Sequence, residues 1–399
     1  MGLHPSVDQG ERYGAHNYHP LDVVLTRGEG AFVWDTEGKK YLDCLSAYSA
    51  VNQGHCHPKI ASAMKAQCER LTLSSRGFHN DQLGPFLEKL HHFSGFDKAL
   101  LMNSGAEAVE TAIKAARKWG ETVKGVPEGQ GEIIVFTDNF HGRTTTIVSF
   151  STEAQYRAGF GPFTPGFRVV PYGNAAALAE AMGPRTIAVL AEPIQGEAGI
   201  IVPPEGWLRQ IRELCDQHRA LMILDEIQTG LCRTGRRFAF EHENVRPDAV
   251  TIGKALSGGF YPISAFLASN EVMGVFKPGD HGSTFGGNPL AAAVGSAALD
   301  VLLDENLANH AAELGPWFIE QLRGISSPHI KEVRGKGLLV GLEIRKESGP
   351  ARPFCLALKD RGMLCKETHQ QVIRFAPPLV VSKADLQWVV KQVDEVLNT

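Results

Sequence analysis

The middle of the chain alternates short apolar runs with longer stretches of helical periodicity, and this alternation limits the fold more than any other feature. Runs and helices in that order build a mostly parallel sheet covered by helices. Five runs read as buried strands: Ala99–Met102, Glu132–Phe136, Thr186–Leu190, Ala220–Leu224 and Ala249–Ile252. Behind the first stand Asn103-Ser104-Gly105 and then Ala106–Trp119, where Val109, Ala112, Ile113 and Ala116 fall on one helical face. The spacing predicts a strand, a glycine turn and a helix.

Elsewhere the pattern changes. Gly30–Leu42 reads as a hairpin turning at Thr36-Glu37-Gly38. Leu290–Leu303 and Leu307–Leu322 read as helices, Lys331–Ile344 as a strand pair and Ser382–Leu397 as a closing helix. Segregation of helices from strands indicates a smaller α+β unit. The expected division is an N-terminal segment, 1–45, packing with the small domain, a large domain, 46–288, and a C-terminal small domain, 289–399. A chain of 399 residues is long enough for this, and for a large core without disulfides or metals.

Charge and composition exclude several function classes. The formal net charge is −4 and no run of Lys or Arg exceeds a pair, so a nucleic-acid footprint is not expected. No apolar stretch reaches the roughly 18 residues of a membrane span. The seven cysteines are odd in number and contain no C-x-x-C, which argues for reduced thiols and against a disulfide framework or a cysteine zinc site. The N-terminus has no apolar signal core, and a cytoplasmic location is expected. Met1-Gly2 with Ser6 fits a loose myristoylation pattern, but Pro5 and the absence of a nearby basic patch argue against an anchor. His55 and His57 lack an acidic or histidine cluster nearby, so they are expected to structure a turn, and no metal site is expected.

Ala220–Glu226 resembles the acidic strand of a P-loop nucleotidase, but its partner is missing. None of the Gly-Lys pairs at 38–39, 253–254 and 335–336 is followed by Ser or Thr, and no G-x-G-x-x-G exists. The expected chemistry comes instead from three features at strand ends. Asp225 follows one apolar run, Lys254 follows the next, and Ser104-Gly105 opens a helix after a third. Ligands bind at such ends in open α/β sheets, and a helix opening on glycine suits a phosphate. An acid, a lysine amine and a phosphate cradle together suggest pyridoxal 5′-phosphate, PLP. The amine would form a Schiff base with the aldehyde, and the carboxylate would keep the pyridine nitrogen protonated. Taken singly, Asp225 or Lys254 reads as an ordinary surface charge.

LDEIQTG at 224–230 followed by IGKALSGG at 252–259 resembles the class III, or subgroup II, PLP-dependent aminotransferases. The likeness covers nearly the whole chain. GAHNYHP at 14–20, SAYSAVNQGHCHPKI at 46–60, NFHGRT at 139–144, EPIQGEAG at 192–199, HGSTFGGNP at 281–289 and IRFAPPL at 373–379 all resemble the ornithine δ-aminotransferase branch. The resemblance implies the fold type I architecture of PLP enzymes: a large domain with a mostly parallel seven-stranded sheet, plus a smaller α+β domain. It also implies roles. Lys254 would carry the cofactor and shuttle protons, and Asp225 would pair with the pyridinium nitrogen. Gln228 would bond the phenolic oxygen, Phe140 would stack on the ring, and the N–H groups of Gly105 and Ala106 would hold the phosphate. Ser283 and Thr284 would reach the phosphate of a neighbouring subunit, which requires a homodimer or a higher oligomer.

The substrates implied are L-ornithine and 2-oxoglutarate, with glutamate as a product. Arg374 would bind the α-carboxylate of glutamate or 2-oxoglutarate, and Glu197 would neutralise it when ornithine is bound. Arg143 would hold a second carboxylate. Tyr18 would stand near the ornithine carboxylate and Tyr48 at the substrate mouth, with Glu192 on the substrate side. Alternatives within the family are acetylornithine and 4-aminobutyrate, whose enzymes tend to carry an aliphatic residue at the position of Tyr48. Position 141 departs from the animal ornithine enzymes, which have Trp, and matches the acetylornithine branch in being His. A binding protein that merely kept the fold is a third reading, and the intact Lys254, Asp225 and phosphate motifs speak against it.

Overall fold

Strands covered on both faces read as continuous apolar runs, because neither face meets water. The computed structural model describes residues 4–399, so Met1 and Gly2 of the acylation pattern lie outside the described residues. A meander of β1 (Leu25–Glu29), β2 (Phe32–Asp35) and β3 (Lys40–Asp43) comes first. The central strands follow: β4 (Lys98–Met102), β5 (Glu132–Phe136), β6 (Phe167–Val170), β7 (Thr186–Ala191), β8 (Leu221–Asp225), β9 (Ala249–Ile252) and β10 (Ser264–Ala268). They form a seven-stranded sheet in the order β4-β10-β9-β8-β7-β5-β6. Only β10 runs antiparallel, to β4 on one side and β9 on the other. The reversal restores the direction of β4, so β4, β5, β7, β8 and β9 all end at one edge of the sheet. Every residue of β7, β8 and β9 is buried, which is why their runs are so plain in the sequence.

The five expected strands are present to within a residue, whereas β6 and β10 were not expected. β6 closes one edge and leaves Phe167, Arg168 and Val169 accessible, so its apolar signal is weak. β10 is five residues of SAFLA, too short and small-residued to stand out after Ile263. The helix Gly105–Trp119 begins with a capping box between Ser104 and Glu107, and buries Val109, Ala112, Ile113 and Ala116 against the sheet.

The C-terminal portion carries β11 (Ile330–Lys336), β12 (Leu339–Ile344), β13 (Met363–Leu364), β14 (Lys366–Thr368) and β15 (Val372–Phe375). β11, β12, β15 and β14 make an antiparallel four-stranded sheet in that order. Helices Pro289–Asp304, Leu307–Arg323 and Lys383–Leu397 match the expected three. β13 leaves this sheet and pairs in parallel with β3, Met363 with Leu42, so the N-terminal meander and the C-terminal portion share one sheet. Among the described residues, no helix is long and apolar enough to cross a membrane.

Between β3 and the helix Pro58–Cys68 the backbone does something unusual. Ser46, Ala47, Tyr48 and Ser49 have φ of 42°, 48°, 61° and 70°, four consecutive non-glycine residues in the left-handed region. Such a conformation costs roughly 1–2 kcal/mol per L-residue. Asp43 holds its start, with Oδ1 accepting from the N–H groups of Leu45 and Ser46, both at 2.8 Å. His55 Nε2 lies 2.8 Å from Asp43 Oδ2 and steadies that carboxylate. His57 accepts from Lys59 N at the next helix start, 3.3 Å away, and its Nε2 lies 2.7 Å from Glu305. Both histidines therefore serve the turn and the helix that follows it.

Candidate active site

The strand ends bring the chemistry together. Asp225 is the last residue of β8, and Ile227 N donates to its Oδ1 at 3.0 Å. His141, on the loop after β5, places Nδ1 2.7 Å from Asp225 Oδ2. Burial works against a charged imidazole here, but the bond and charge of Asp225 outweigh it and hold the His141 pKa above its ordinary value. Lys254 follows β9 at a φ of 44°, a strained value for a side chain that must point in one direction. Burial pushes its amine below the usual lysine range, although Glu197 opposes the shift. Glu192, after β7, accepts from Phe140 N at 3.0 Å, and burial pushes its carboxyl up to about 8.

The second cluster joins the large sheet to the C-terminal one. Arg374 sits in the middle of β15, flanked by Gly341 and Lys366 on the neighbouring strands. It is only 1% exposed, and its Nη1 donates to Glu197 Oε1 at 2.6 Å. Burial alone would raise the Glu197 carboxyl, but Arg374 first and Lys254 next hold it at about 2. Gln228 Nε2 donates to Glu197 Oε1 at 3.2 Å and to the Tyr48 carbonyl at 3.4 Å. The Tyr48 ring centroid lies 4.9 Å from the Arg374 guanidinium carbon. Thr368 donates to the carbonyl of Glu197, so β14 also fixes this corner.

One cavity of about 200 Å³ is lined by Lys254, Asp225, His141, Glu192, Glu197, Gln228 and Phe140, with Gly105 and Ala106 at one end. The glycine end is closed to side chains. A Cβ at Gly105 would meet Ile227 Cδ1 at 2.9 Å, and one at Gly142, where φ is 128°, would meet the Ala106 Cβ at 2.8 Å. Only bare backbone fits there, with the first N–H groups of the helix free for an anion.

Six expected site residues stand outside this lining, Tyr48 and Arg374 of the Glu197 corner among them. Tyr18 is 74% exposed on the N-terminal segment. Ser283 accepts from Asn103 Nδ2 at 2.8 Å beside the helix start, and Thr284 is exposed. Arg143 is also exposed, its guanidinium 3.9 Å from the Tyr156 ring centroid, and it makes no ion pair among the described residues. The sequence reading treated His141 only as a mark of substrate class and did not foresee its bond to Asp225. The two residues are 84 positions apart on different loops, and no periodicity reports such a meeting.

Glu226 is fully buried and serves the scaffold. It accepts from Thr229 Oγ1 and from Phe240 N at 3.0 Å, yet burial still pushes it up to about 7. A folded-state pKa above the ordinary 4.5 means that the native state binds this proton more tightly than the unfolded chain does. Stability is therefore lost as pH rises from about 4.5 to about 7, by up to about 3 kcal/mol. Glu226→Gln has no such proton, so its stability relative to the native chain should improve over that interval, as read by denaturant melts at pH 5 and pH 8. A difference that stays constant between the two pH values would refute the assignment.

The family description "Aminotransferase class-III" matches residues 13–397. The chain belongs to the class III aminotransferases. It is 57% identical over 392 residues to the ornithine aminotransferase of Brevibacillus brevis, covering 98% of both chains. It superposes on a Toxoplasma gondii ornithine aminotransferase with a TM-score of 0.97 at 45% identity, covering 98% of this chain and 93% of that one. It also superposes on an acetylornithine aminotransferase from Elizabethkingia anophelis, with a TM-score of 0.89 at 50% identity and 98% coverage of both.

Class III enzymes use PLP, and the Toxoplasma structure reports it at the active site in partial occupancy. The cavity suits that group. It offers an amine, a carboxylate backed by an imidazole, an aromatic ring and a side-chain-free helix start. Gln228 Oε1 and His141 Nε2 are buried there with no hydrogen-bond partner, so both can serve a bound group.

Proposed function

We propose that this chain transfers the δ-amino group of L-ornithine to 2-oxoglutarate, giving L-glutamate 5-semialdehyde and L-glutamate in two alternating half-reactions. The Glu197–Arg374 pair, whose carboxylate lines the same cavity as Lys254 and Asp225, carries the proposal. Glutamate bears its amine beside a carboxylate, whereas ornithine presents an amine far from one. The site must offer a cation near the reacting carbon in one half-reaction and hide it in the other. Arg374 supplies the cation and Glu197 hides it. Arg374 keeps an anionic partner in both states, and Gln228 and the charge of Lys254 remain beside Glu197 when substrate takes its place, which lowers the cost of the exchange for a buried pair.

The cofactor supplies an aldehyde to receive the amino group and a ring that draws electrons from the carbon bearing it. The chain's own groups do the rest. Lys254, with its lowered pKa, takes and returns the proton at that carbon. Asp225, steadied by His141, holds a negative charge for the ring nitrogen. Phe140 would lie against the ring, Gln228 would bond its oxygen, and Gly105 and Ala106 would bind the phosphate. Arg143 would turn from Tyr156 to a second carboxylate, and Glu192, neutral below about pH 8, would border the substrate.

Tyr18, Ser283 and Thr284, all accessible in the single chain, would complete their roles in a homodimer, where Ser283 and Thr284 reach the other subunit's phosphate. A fully active monomer in sedimentation at assay concentration would refute that. The proposed domain division remains 1–45, 46–288 and 289–399, in a cytoplasmic enzyme. The acetylornithine reading draws support from His141 and from the Elizabethkingia neighbour. A donor panel of ornithine, acetylornithine and 4-aminobutyrate with 2-oxoglutarate decides between them. The proposal expects the highest kcat/KM for ornithine, and preference for either other donor overturns it.

Glu197→Ala tests the masking directly. The glutamate half-reaction should quicken, because the substrate carboxylate no longer competes with an internal one, and discrimination in favour of the δ-amine of ornithine should weaken. Removing one partner of a buried pair should also lower stability by about 3 kcal/mol. Stopped-flow comparison of both half-reactions reads the outcome. Equal slowing of the two would make Glu197 a structural partner only.

A further inference from the structure

We propose that Arg233, which lies outside the cavity lining, is a positioning residue for donor choice: it pins the left-handed turn Ser46–Ser49 from inside so that Tyr48 covers Arg374. This rests on the ornithine reading above and extends it to a residue that touches no substrate.

Arg233 is 0% exposed, and among the described residues it has no carboxylate within ion-pair distance. Its fork is used on oxygens alone. Nη1 donates to Leu338 O at 2.9 Å and to Pro377 O at 2.6 Å. Nη2 donates to Asn52 Oδ1 at 2.5 Å and to Ser46 Oγ at 3.4 Å. Ser46 Oγ donates to Ala376 O at 2.5 Å, and Asn52 O accepts from Leu379 N at 2.8 Å. Ala376 N closes the ring on Cys44 O at 2.7 Å.

These bonds have one geometric consequence. One guanidinium grips the turn that carries Tyr48 and also the segment just after Arg374, at Ala376-Pro377. Both sides of the Tyr48–Arg374 contact are thus set by the same side chain. A planar fork with donors on two nitrogens can do this, and a lysine ammonium cannot match its reach or geometry.

The strain makes the arrangement informative. A connection between β3 and the next helix needs no run of four left-handed L-residues. Strain of this kind persists where surrounding structure over-determines it, and it clusters at functional sites. Here it delivers two things: the Tyr48 ring over the Arg374 guanidinium, and the Tyr48 carbonyl towards Gln228. Glu197 already occupies Nη1 of Arg374. With the ring covering a face as well, a carboxylate reaches the cation only by displacing the internal groups. Loosening the turn should open Arg374 to dicarboxylates at the expense of ornithine.

Two variants test this. Arg233→Lys keeps the charge and removes the fork. Ser46→Ala leaves Arg233 in place and removes the hydroxyl through which the guanidinium and the Ala376 carbonyl hold the turn. The holoenzyme is titrated calorimetrically with glutarate, an unreactive five-carbon dicarboxylate, and both half-reactions are followed by stopped flow. The expected result is glutarate binding tighter by about threefold or more, with the ornithine-to-glutamate ratio of kcat/KM falling about tenfold. A folded Ser46→Ala variant with native glutarate affinity and native donor ratio overturns the proposal. So does an Arg233→Lys variant in which both half-reactions fall equally and glutarate affinity is unmoved, since that is the mark of a purely structural residue. If Arg233→Lys does not fold, Ser46→Ala decides alone. Should the native enzyme fail to use ornithine, the functional reading falls, and the glutarate titration still reports on Arg233.

Discussion

Lys254→Ala should abolish turnover, by about 10⁴-fold or more, while leaving the chain folded. The amine sits at the end of β9, in the cavity with Asp225 and Glu197, and no other lysine lines that cavity. Nothing else there can take up the cofactor's aldehyde or return a proton to the substrate carbon. The fold has no reason to suffer. Burial already pushes this amine below the usual lysine range, so the folded state carries a desolvation penalty that alanine removes. The positive φ of 44° is equally awkward for either residue. Thermal melting within a few degrees of the native value, with turnover below detection, is the expected pair of results. Retention of more than a few per cent of activity would remove Lys254 from the centre of the reaction. Loss of folding would show that its attraction to the Glu197 charge matters more to the scaffold than its burial suggests.

How much of this was legible in the sequence follows from physical differences among the parts. β5, β7, β8 and β9 are central strands buried on both faces, and such strands announce themselves as unbroken apolar runs. β6 and β10 do not, one because it is a partly exposed edge and the other because its residues are small. Asp225, Lys254 and Ser104-Gly105 were legible because they abut strand ends, where position along the chain almost fixes position in space. The Glu197–Arg374 pair was legible only through resemblance, since 177 residues and two sheets separate its members. Composition and periodicity are silent about a side chain crossing between domains. The bond from His141 to Asp225 and the fork of Arg233 were illegible for the same reason. The left-handed turn hid for another: Ser46–Ser49 contains no glycine, the residue by which sequence ordinarily signals a positive φ.

Asp225→Asn should leave the cofactor bound and slow proton removal from ornithine by about 10²–10³-fold. The substitution preserves shape and one acceptor oxygen, so Ile227 N keeps its bond and the cavity keeps its outline. What disappears is the buried negative charge that would hold a proton on the ring nitrogen. An amide cannot do that, and the ring then draws electrons weakly at the moment the carbon gives up its proton. His141 provides a second signature. Its pKa stands above the ordinary value because the Asp225 bond and charge overcome burial. A raised folded-state pKa for a histidine contributes stability that is complete below the ordinary 6.5 and is lost as pH climbs through the raised value. In Asp225→Asn burial is opposed only by the charge of Glu192, the rise brought by Asp225 is gone, and this loss of stability on the alkaline side should shrink. The native chain should therefore destabilise between neutral and alkaline pH by a component that the variant lacks. Single-turnover rates with ornithine, combined with melts across that range, read both effects. An unchanged rate would show that Asp225 is not the group facing the ring nitrogen. A slowed rate with an unchanged pH profile of stability would assign the charge to Asp225 and deny His141 its part in holding it.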